Sequence, residues 1–229
     1  MAEQWQFVDT GEGRPAWNMA FDEALMECVN EQARPILRFY SWSIPAATFG
    51  YFQKFDDVAA MTSLRPLIRR PTGGGVVPHE NDWTYSLAIP PGHEWHRIRA
   101  EESYRRLHEW VAEALRIAGE EAGLAECCES TGPGQCFVGA EKHDVLVQGR
   151  KAAGAAQRRN KLGLLIQGSV QADAMTATRS EWESAMQAAA LKQFGVLSFE
   201  DAPGLEATEA RARELEEEKY IRDEHNRRR

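Results

Sequence analysis

Between Trp17 and Val29 the apolar residues Met19, Ala20, Leu25, Met26 and Val29 recur at three- and four-residue spacings, the period of one helix face. Asn18, at the start of that run, is the expected N-cap. Short β-prone runs follow at Ile36–Trp42, Ala47–Tyr51, Leu67–Arg70 and Thr84–Ile89, each bounded by Pro or Gly. Residues 99–122 carry the clearest helical stripe, with Tyr104, Leu107, Val111, Ala114, Leu115 and Ala118 on one face. Residues 124–135, containing Thr131-Gly132-Pro133-Gly134, read as a loop. Three strands are expected after it, at Cys136–Val138, Asp144–Gln148 and Leu162–Val170. A further helix starts at Ser180, where Ser180 and Glu183 have capping-box spacing. The stretch from Thr208 to His225 is rich in Glu, Arg and Ala and is expected to be helical and mostly solvated. Helices and strands interleave without regular β-α-β alternation, so the class is α+β. The expected division is a single catalytic domain over residues 1–200 and a charged helical tail over 201–229.

Composition narrows this picture. The 229 residues suffice for one large domain, and 43% hydrophobic with 27% charged residues is ordinary globular usage. No apolar run approaches the roughly eighteen residues of a membrane span, and Met1-Ala2-Glu3-Gln4-Trp5 lacks the features of a signal peptide. A cytoplasmic protein without a membrane partner is expected. The formal charge of −8 argues against nucleic acid as a partner. Residues 200–219 hold eight acidic side chains against three basic ones. Residues 134–170 instead carry Lys142, Arg150, Lys151, Arg158, Arg159 and Lys161 against Glu141 and Asp144. That basic stretch suits an acidic ligand or partner.

Two segments concentrate chemistry. The first is Arg69-Arg70-Pro71-Thr72-Gly73-Gly74-Gly75-Val76-Val77-Pro78-His79. Three consecutive glycines cost backbone entropy on folding, which a positive φ or a close backbone approach to a ligand would justify. The preceding arginines can pair with carboxylate or phosphate. A tight hairpin turn explains the same glycines, and a hydrogen-bonded structural role explains His79. The pattern is neither a P-loop nor a dinucleotide fingerprint. The second segment is Gly149-Arg150-Lys151-Ala152-Ala153-Gly154-Ala155-Ala156-Gln157, where small residues surround one lysine. Such a lysine can anchor a carbonyl or carboxylate, or favour a neighbouring thiolate; a solvated turn is the plain alternative. Cys28, Cys127, Cys128 and Cys136 form no C-x-x-C pair, so no metal site is expected and each is a free thiol. Cys136 stands fifteen residues before Lys151, after a Gly-Pro-Gly turn. A free cysteine is either buried filler or a nucleophile.

Taken together, three ordered motifs resemble those of the biotin/lipoate A/B transferase family, which includes lipoate–protein ligases and octanoyltransferases. They are Asn18 to Leu25, Arg69 to Ser86, and Gly149-x-Lys151-x-x-Gly154-x-Ala156-Gln157 followed by Gly168-Ser169. The resemblance implies an α+β fold in which helices flank a mixed sheet and an acyl chain lies in a tunnel. It implies substrate contacts from Arg70, Thr72, Gly73, Gly74, Gly75, His79, Gly154, Ala156 and Gln157, with Lys151 at the acyl carbonyl. Two branches of the family fit. The Gram-positive octanoyltransferases use a cysteine fifteen residues before the motif lysine, and Cys136-Phe137 stands there. That branch implies transfer from octanoyl-acyl carrier protein to a lysine of a lipoyl-domain protein through a Cys136 thioester, with no cofactor. The ligase branch would use ATP and magnesium to form an acyl-adenylate. A catalytically silent lipoyl-binding module is the third reading. The chain departs from the family pattern at Pro78, Trp83, Ala155 and Gln167, the last two replacing a frequent Ser and His.

Overall fold

A computed structural model describes residues 3–127, 139–202 and 204–228. The elements in chain order are β1 (Glu3–Gly13), α1 (Pro15–Gln32), β2 (Ile36–Trp42), β3 (Ala46–Phe49), α2 (Phe55–Met61), β4 (Leu67–Arg69), β5 (Val77–His79) and β6 (Asp82–Ile89). Next come α3 (Glu94–Arg97), α4 (Ala100–Ile117), β7 (Ala122–Leu124), β8 (Val145–Val147), β9 (Arg150–Asn160) and β10 (Gly163–Gln171). The chain continues through α5 (Arg179–Gln193), β11 (Val196–Asp201), α6 (Glu206–Leu215) and α7 (Asp223–Asn226). Among the described residues eight strands form one sheet in the order β11-β1-β2-β6-β10-β9-β8-β7, and β4-β3-β5 form a second, small sheet. The large sheet is mixed: β1 runs parallel to β11 and β2, and the pairs from β2 across to β7 are antiparallel. This is the expected α+β class, and no helix among the described residues is long and apolar enough to cross a membrane.

Strand alternation gives the sheet two working faces. Leu37 and Phe39 of β2, Tyr85 and Leu87 of β6, and Leu164 and Ile166 of β10 pack under α4 and α5 with Trp110 and Trp182. Ile36 and Tyr40 of β2 and Ala88 of β6 point the other way, against Phe21 and Leu25 of α1 and Leu215 of α6. The second face also carries polar groups. Arg38 and Asp22 are fully buried and paired at 2.6 Å. The Asp22 carboxylate also accepts from Ser86 (2.6 Å), Tyr40 (2.9 Å) and Gln167 (2.7 Å), tying α1 to β2, β6 and β10. A buried charge is tolerable when its lone pairs are filled in this way.

Several expectations change. Helix α1 begins at Pro15, with Arg14 at the N-cap. Asn18 is not the cap: it lies inside the helix, donating to Gly13 and Ser41 carbonyls and accepting from Arg38. Thr178 and Glu181 form the capping box of α5, whereas Glu183 pairs with Arg179. Helix α4 stops at Ile117, and Ala122–Leu124 is a strand. The expected Cys136–Val138 strand lies outside the described residues, as do the Thr131–Gly134 turn and Cys128. β1, β9 and β11 are additional strands. Alanine, glycine and charged residues give β9 little intrinsic β preference; pairing with β8 on one edge and β10 on the other makes it a strand.

The charged tail is not mostly solvated. Ala212, Leu215 and Tyr220 are buried against α1. Buried Glu23 accepts from Lys219 and Tyr220, both at 2.5 Å, and from Arg158 at 3.0 Å. Burial alone would raise the Glu23 carboxyl, but Lys219, Tyr220 and Arg158 hold it below the usual carboxylate range. Arg69 is fully buried and donates to the carbonyls of His225 (3.1 Å) and Asn226 (2.9 Å). The first arginine of the glycine-rich segment therefore docks the end of the chain.

Candidate functional site

The glycine-rich segment links β4 to β5 and lies against the turn that follows β3. Tyr51 N–H donates to the Thr72 carbonyl (2.9 Å), and Arg70 N–H donates to that of Phe49 (2.8 Å). The Arg70 guanidinium reaches back along its own loop to the carbonyls of Gly73 and Gly75, both at 2.8 Å, and to Thr48 Oγ1 at 2.9 Å. Gly74 has φ +86, a conformation in which a Cβ is strained. Gly50 faces it so closely that a Cβ there would stand 1.9 Å from the Gly74 carbonyl oxygen. The glycines thus serve both backbone geometry and close approach.

Beneath this loop a cavity of about 260 Å³ opens onto β9 and β10. Of the residues expected in the site, Arg70, Gly74, Gly75, His79, Lys151, Gly154 and Ala156 line it. Thr72, Gly73 and Gln157 do not line it. Thr72 is buried and donates to Gln167 Oε1 at 2.7 Å, and the Gly73 carbonyl accepts from Arg70. Gln157 is turned toward α4, where it accepts from Ser103 and donates to the Ala100 carbonyl. Through these bonds the three residues support the cavity walls. Cys136 lies outside the described residues.

Lys151 stands at the start of β9, facing the cavity, with its side chain 8% exposed. Its Nζ lies 2.6 Å from Asp144 Oδ2, and Asp144 is fully buried. The other Asp144 oxygen accepts from Tyr104 OH, and the Glu141 backbone N–H donates to Oδ2 at 2.7 Å. Burial and the adjacent Asp144 push the Tyr104 hydroxyl well up, so it stays protonated and donates. The hairpin explains the pairing. Gln148 and Gly149 both have positive φ and turn β8 back onto β9, with Val147 opposite Arg150. A register shift between Val145 and Leu146 then brings Asp144 beside Lys151. At Gly154 a Cβ would sit 3.2 Å from Lys151 Cε and 3.5 Å from Asp144 Oδ1, so the glycine leaves room for the pair.

The opposite wall is polar in a different way. Gln167 accepts from Thr72, donates to Asp22, and contacts Met19 Sδ at 3.4 Å, which gives the departure from the family's usual histidine a defined bonding role. Buried Asp82 accepts from His79, Thr84 and Ser169, each within 2.9 Å.

Tyr104, Asp144, Asp82, Thr48 and Gln167 were not among the expected site residues. Asp144 had a legible signal, since a two-residue hairpin turn places it opposite the lysine motif. Thr48 had none. The basic stretch also proves less open than composition suggested. Arg158 pairs with Glu23, and Arg159 donates to the His96 and Ile98 carbonyls and to Ser103.

Residues 14–197 match the lipoyl protein ligase A/B catalytic domain. The chain is 36% identical over 181 residues to octanoyltransferase LipM of Anoxybacillus flavithermus, covering 73% of this chain and 65% of that one. It is 33% identical over 184 residues to octanoyltransferase LipM of Bacillus subtilis, covering 75% and 66%. The match thus spans slightly less than two thirds of these relatives' length. Among solved structures, the fold is similar to a lipoate-protein ligase A bound with ATP (TM-score 0.80, 24% identity, 99% of each chain). It is also similar to a bi-partite lipoate protein ligase of Thermoplasma acidophilum, described with its E2 lipoyl domain (TM-score 0.77, 22% identity, 99% and 97%). The glycine loop, the lysine strand and the cavity between them all fall within the matched region. The chain belongs to the lipoyl protein ligase A/B catalytic-domain family.

Proposed function

We propose that the protein transfers an octanoyl group from octanoyl-acyl carrier protein to a lysine of a lipoyl-domain protein, through a thioester on Cys136. The observation that supports this most is the Lys151 ammonium held by buried Asp144 at the wall of a small, largely apolar cavity. The named relatives are octanoyltransferases, which agrees with the reading.

In the first step the Cys136 thiolate attacks the thioester carbonyl of the donor; the new C–S bond forms as the old one breaks, and the carrier leaves as its thiolate. In the second, the neutral amine of the acceptor lysine attacks the Cys136 thioester; a C–N bond forms, the C–S bond breaks, and the proton lost by the nitrogen leaves with the cysteine sulfur as the thiol. Each step passes through an oxyanion, which a cation fixed in a water-poor site stabilises well. Lys151 fills that role. Exchange of one thioester for another is nearly isoenergetic, so no nucleotide is required.

Incubation with octanoyl-acyl carrier protein should add one octanoyl group to the intact mass, located on Cys136, and a lipoyl domain should then remove it. Full transfer by Cys136→Ser would refute the thioester. Activity only with free octanoate or lipoate plus ATP and magnesium would instead establish the ligase reading. Binding of a lipoyl domain without transfer in either assay would leave the silent module.

A further inference from the structure

His79 borders the cavity, yet acyl transfer through Cys136 and Lys151 leaves its chemistry unused. Its ring is 4% exposed and stacks on Trp42 with centroids 3.8 Å apart. Both nitrogens are engaged. Nδ1 lies 2.8 Å from Asp82 Oδ2, and Nε2 lies 2.8 Å from Thr48 Oγ1. Thr48 Oγ1 is in turn 2.9 Å from Arg70 Nη1, and the other end of that guanidinium holds the Gly73 and Gly75 carbonyls.

The donor inventory sets the direction of this chain. A guanidinium can only donate and an ionised carboxylate can only accept. Thr48 therefore accepts from Arg70, and His79 Nδ1–H donates to Asp82. The single hydroxyl proton of Thr48 remains, and His79 Nε2 is the acceptor in reach. The chain then runs Arg70 to Thr48 to His79 to Asp82 with the imidazole neutral and protonated on Nδ1. Asp82 anchors its far end. The same oxygen accepts from Thr84 (2.9 Å) and Ser169 (2.8 Å), and Thr84 accepts from Trp42 Nε1 at 2.7 Å. A proton passing between His79 and a substrate would have to break one of these buried bonds and leave a buried donor or acceptor unsatisfied.

We propose that His79 is a positioning residue: clamped by Asp82, it orients Thr48 and through it Arg70, keeping the glycine loop drawn in over the cavity without exchanging a proton with the substrate. The hydrogen-bond chain is independent of the activity; only the kinetic part of the test rests on octanoyl transfer.

Protein labelled with 15N-histidine should show, in a long-range 1H–15N spectrum at pH 7, His79 protonated on Nδ1 with Nε2 as an acceptor, assigned by its loss in His79→Gln. An Nε2–H tautomer or an imidazolium would overturn the chain. In the transfer assay, His79→Ala should raise KM for octanoyl-acyl carrier protein about tenfold, the order of one lost buried hydrogen bond, with a smaller change in kcat. His79→Gln and His79→Asn carry one donor and one acceptor but no titratable proton, so the better of them should recover most of that loss. Thr48→Val, which removes only the relaying hydroxyl, should reproduce the KM rise. Amide variants no better than His79→Ala, together with a lost limb of the pH profile, would make His79 a proton carrier and sink the proposal, as would a Thr48→Val enzyme with wild-type KM. An inactive wild-type protein would count against octanoyl transfer alone, and the tautomer spectrum would still decide the hydrogen-bond chain.

Discussion

Replacing Asp144 by asparagine changes one atom of the carboxylate and removes its charge. In the wild type, Oδ2 faces two donors, Lys151 Nζ at 2.6 Å and the Glu141 backbone N–H at 2.7 Å, while Oδ1 accepts from Tyr104. The asparagine oxygen can serve only one side. If it stays with Tyr104, its NH2 group confronts two donors; if it turns, Tyr104 loses its acceptor. Either way the Lys151 ammonium, 8% exposed, loses its ion pair with Asp144. Breaking a buried pair from one side costs about 3–5 kcal/mol. For a domain of this size that corresponds to a fall in melting temperature of roughly 6–20 °C. The decisive comparison is with the double variant Asp144→Asn/Lys151→Met, which removes the lysine charge as well and should recover much of the lost stability. It should remain inactive, because the cation at the cavity is gone. Thermal and urea unfolding at pH 7 measure the stability, and octanoyl transfer the activity. A single variant within about 1 kcal/mol of wild type would refute the reasoning, since it lies well below the cost of a broken buried pair. So would a double variant no more stable than the single.

Three further outcomes follow from the same geometry. Gly154→Ala should lower transfer activity while leaving the melting temperature nearly unchanged, because its Cβ would press, at 3.2 Å, on the movable end of Lys151; normal kinetics would count against a fixed lysine position. Gly50→Ala should cost both stability and octanoate binding, measured by calorimetry, because the atom in its way at 1.9 Å is the Gly74 backbone oxygen rather than a flexible side chain. His108 is fully buried beneath Tyr104, and burial lowers its pKa from 6.5 to about 4, with Lys151 adding to the effect and Asp144 opposing it. Above pH 6.5 it contributes no pH dependence; between 6.5 and about 4 the unfolded chain takes up a proton that the folded one refuses, costing up to roughly 3 kcal/mol. His108→Phe should flatten this part of the stability–pH curve, and an unaltered slope would show that His108 is not its source.

Local pattern carried a good part of the fold. The stripes that marked α1 and α4 depend on the identity of neighbours three and four residues away, and both helices form there, α1 extending beyond its predicted ends and α4 stopping five residues earlier. The β2 bounds, Ile36–Trp42, were legible for the same reason. The glycine segment and the lysine motif were visible as residue types in order, and the structure brings Arg70, Gly74, Gly75, His79, Lys151 and Gly154 from them to one cavity. Asn18 and Asp22 show the limit. Both belong to a recognisable motif, yet only the tertiary structure reveals that they exist to receive Arg38, twenty and sixteen residues away.

What the chain could not announce locally were features made by long-range pairing. β9 is a strand although its alanines and glycines do not ask to be one, because two neighbouring strands leave it no other place for its backbone hydrogen bonds. The tail looked solvated because its charges are many, but their partners lie 156 to 197 residues away: Lys219 and Tyr220 on Glu23, and the last helix on Arg69. The sequence by itself determined the family, the lysine and the glycine loop, since these depend on residue identity and short spacing. Only the tertiary structure decided that Lys151 answers to Asp144, that Arg70 is bound to its own loop, and that His79 faces Thr48 and Asp82. A buried polar group is satisfied by whichever donor or acceptor the fold brings within hydrogen-bond reach, and that distance is set by topology rather than by position along the chain.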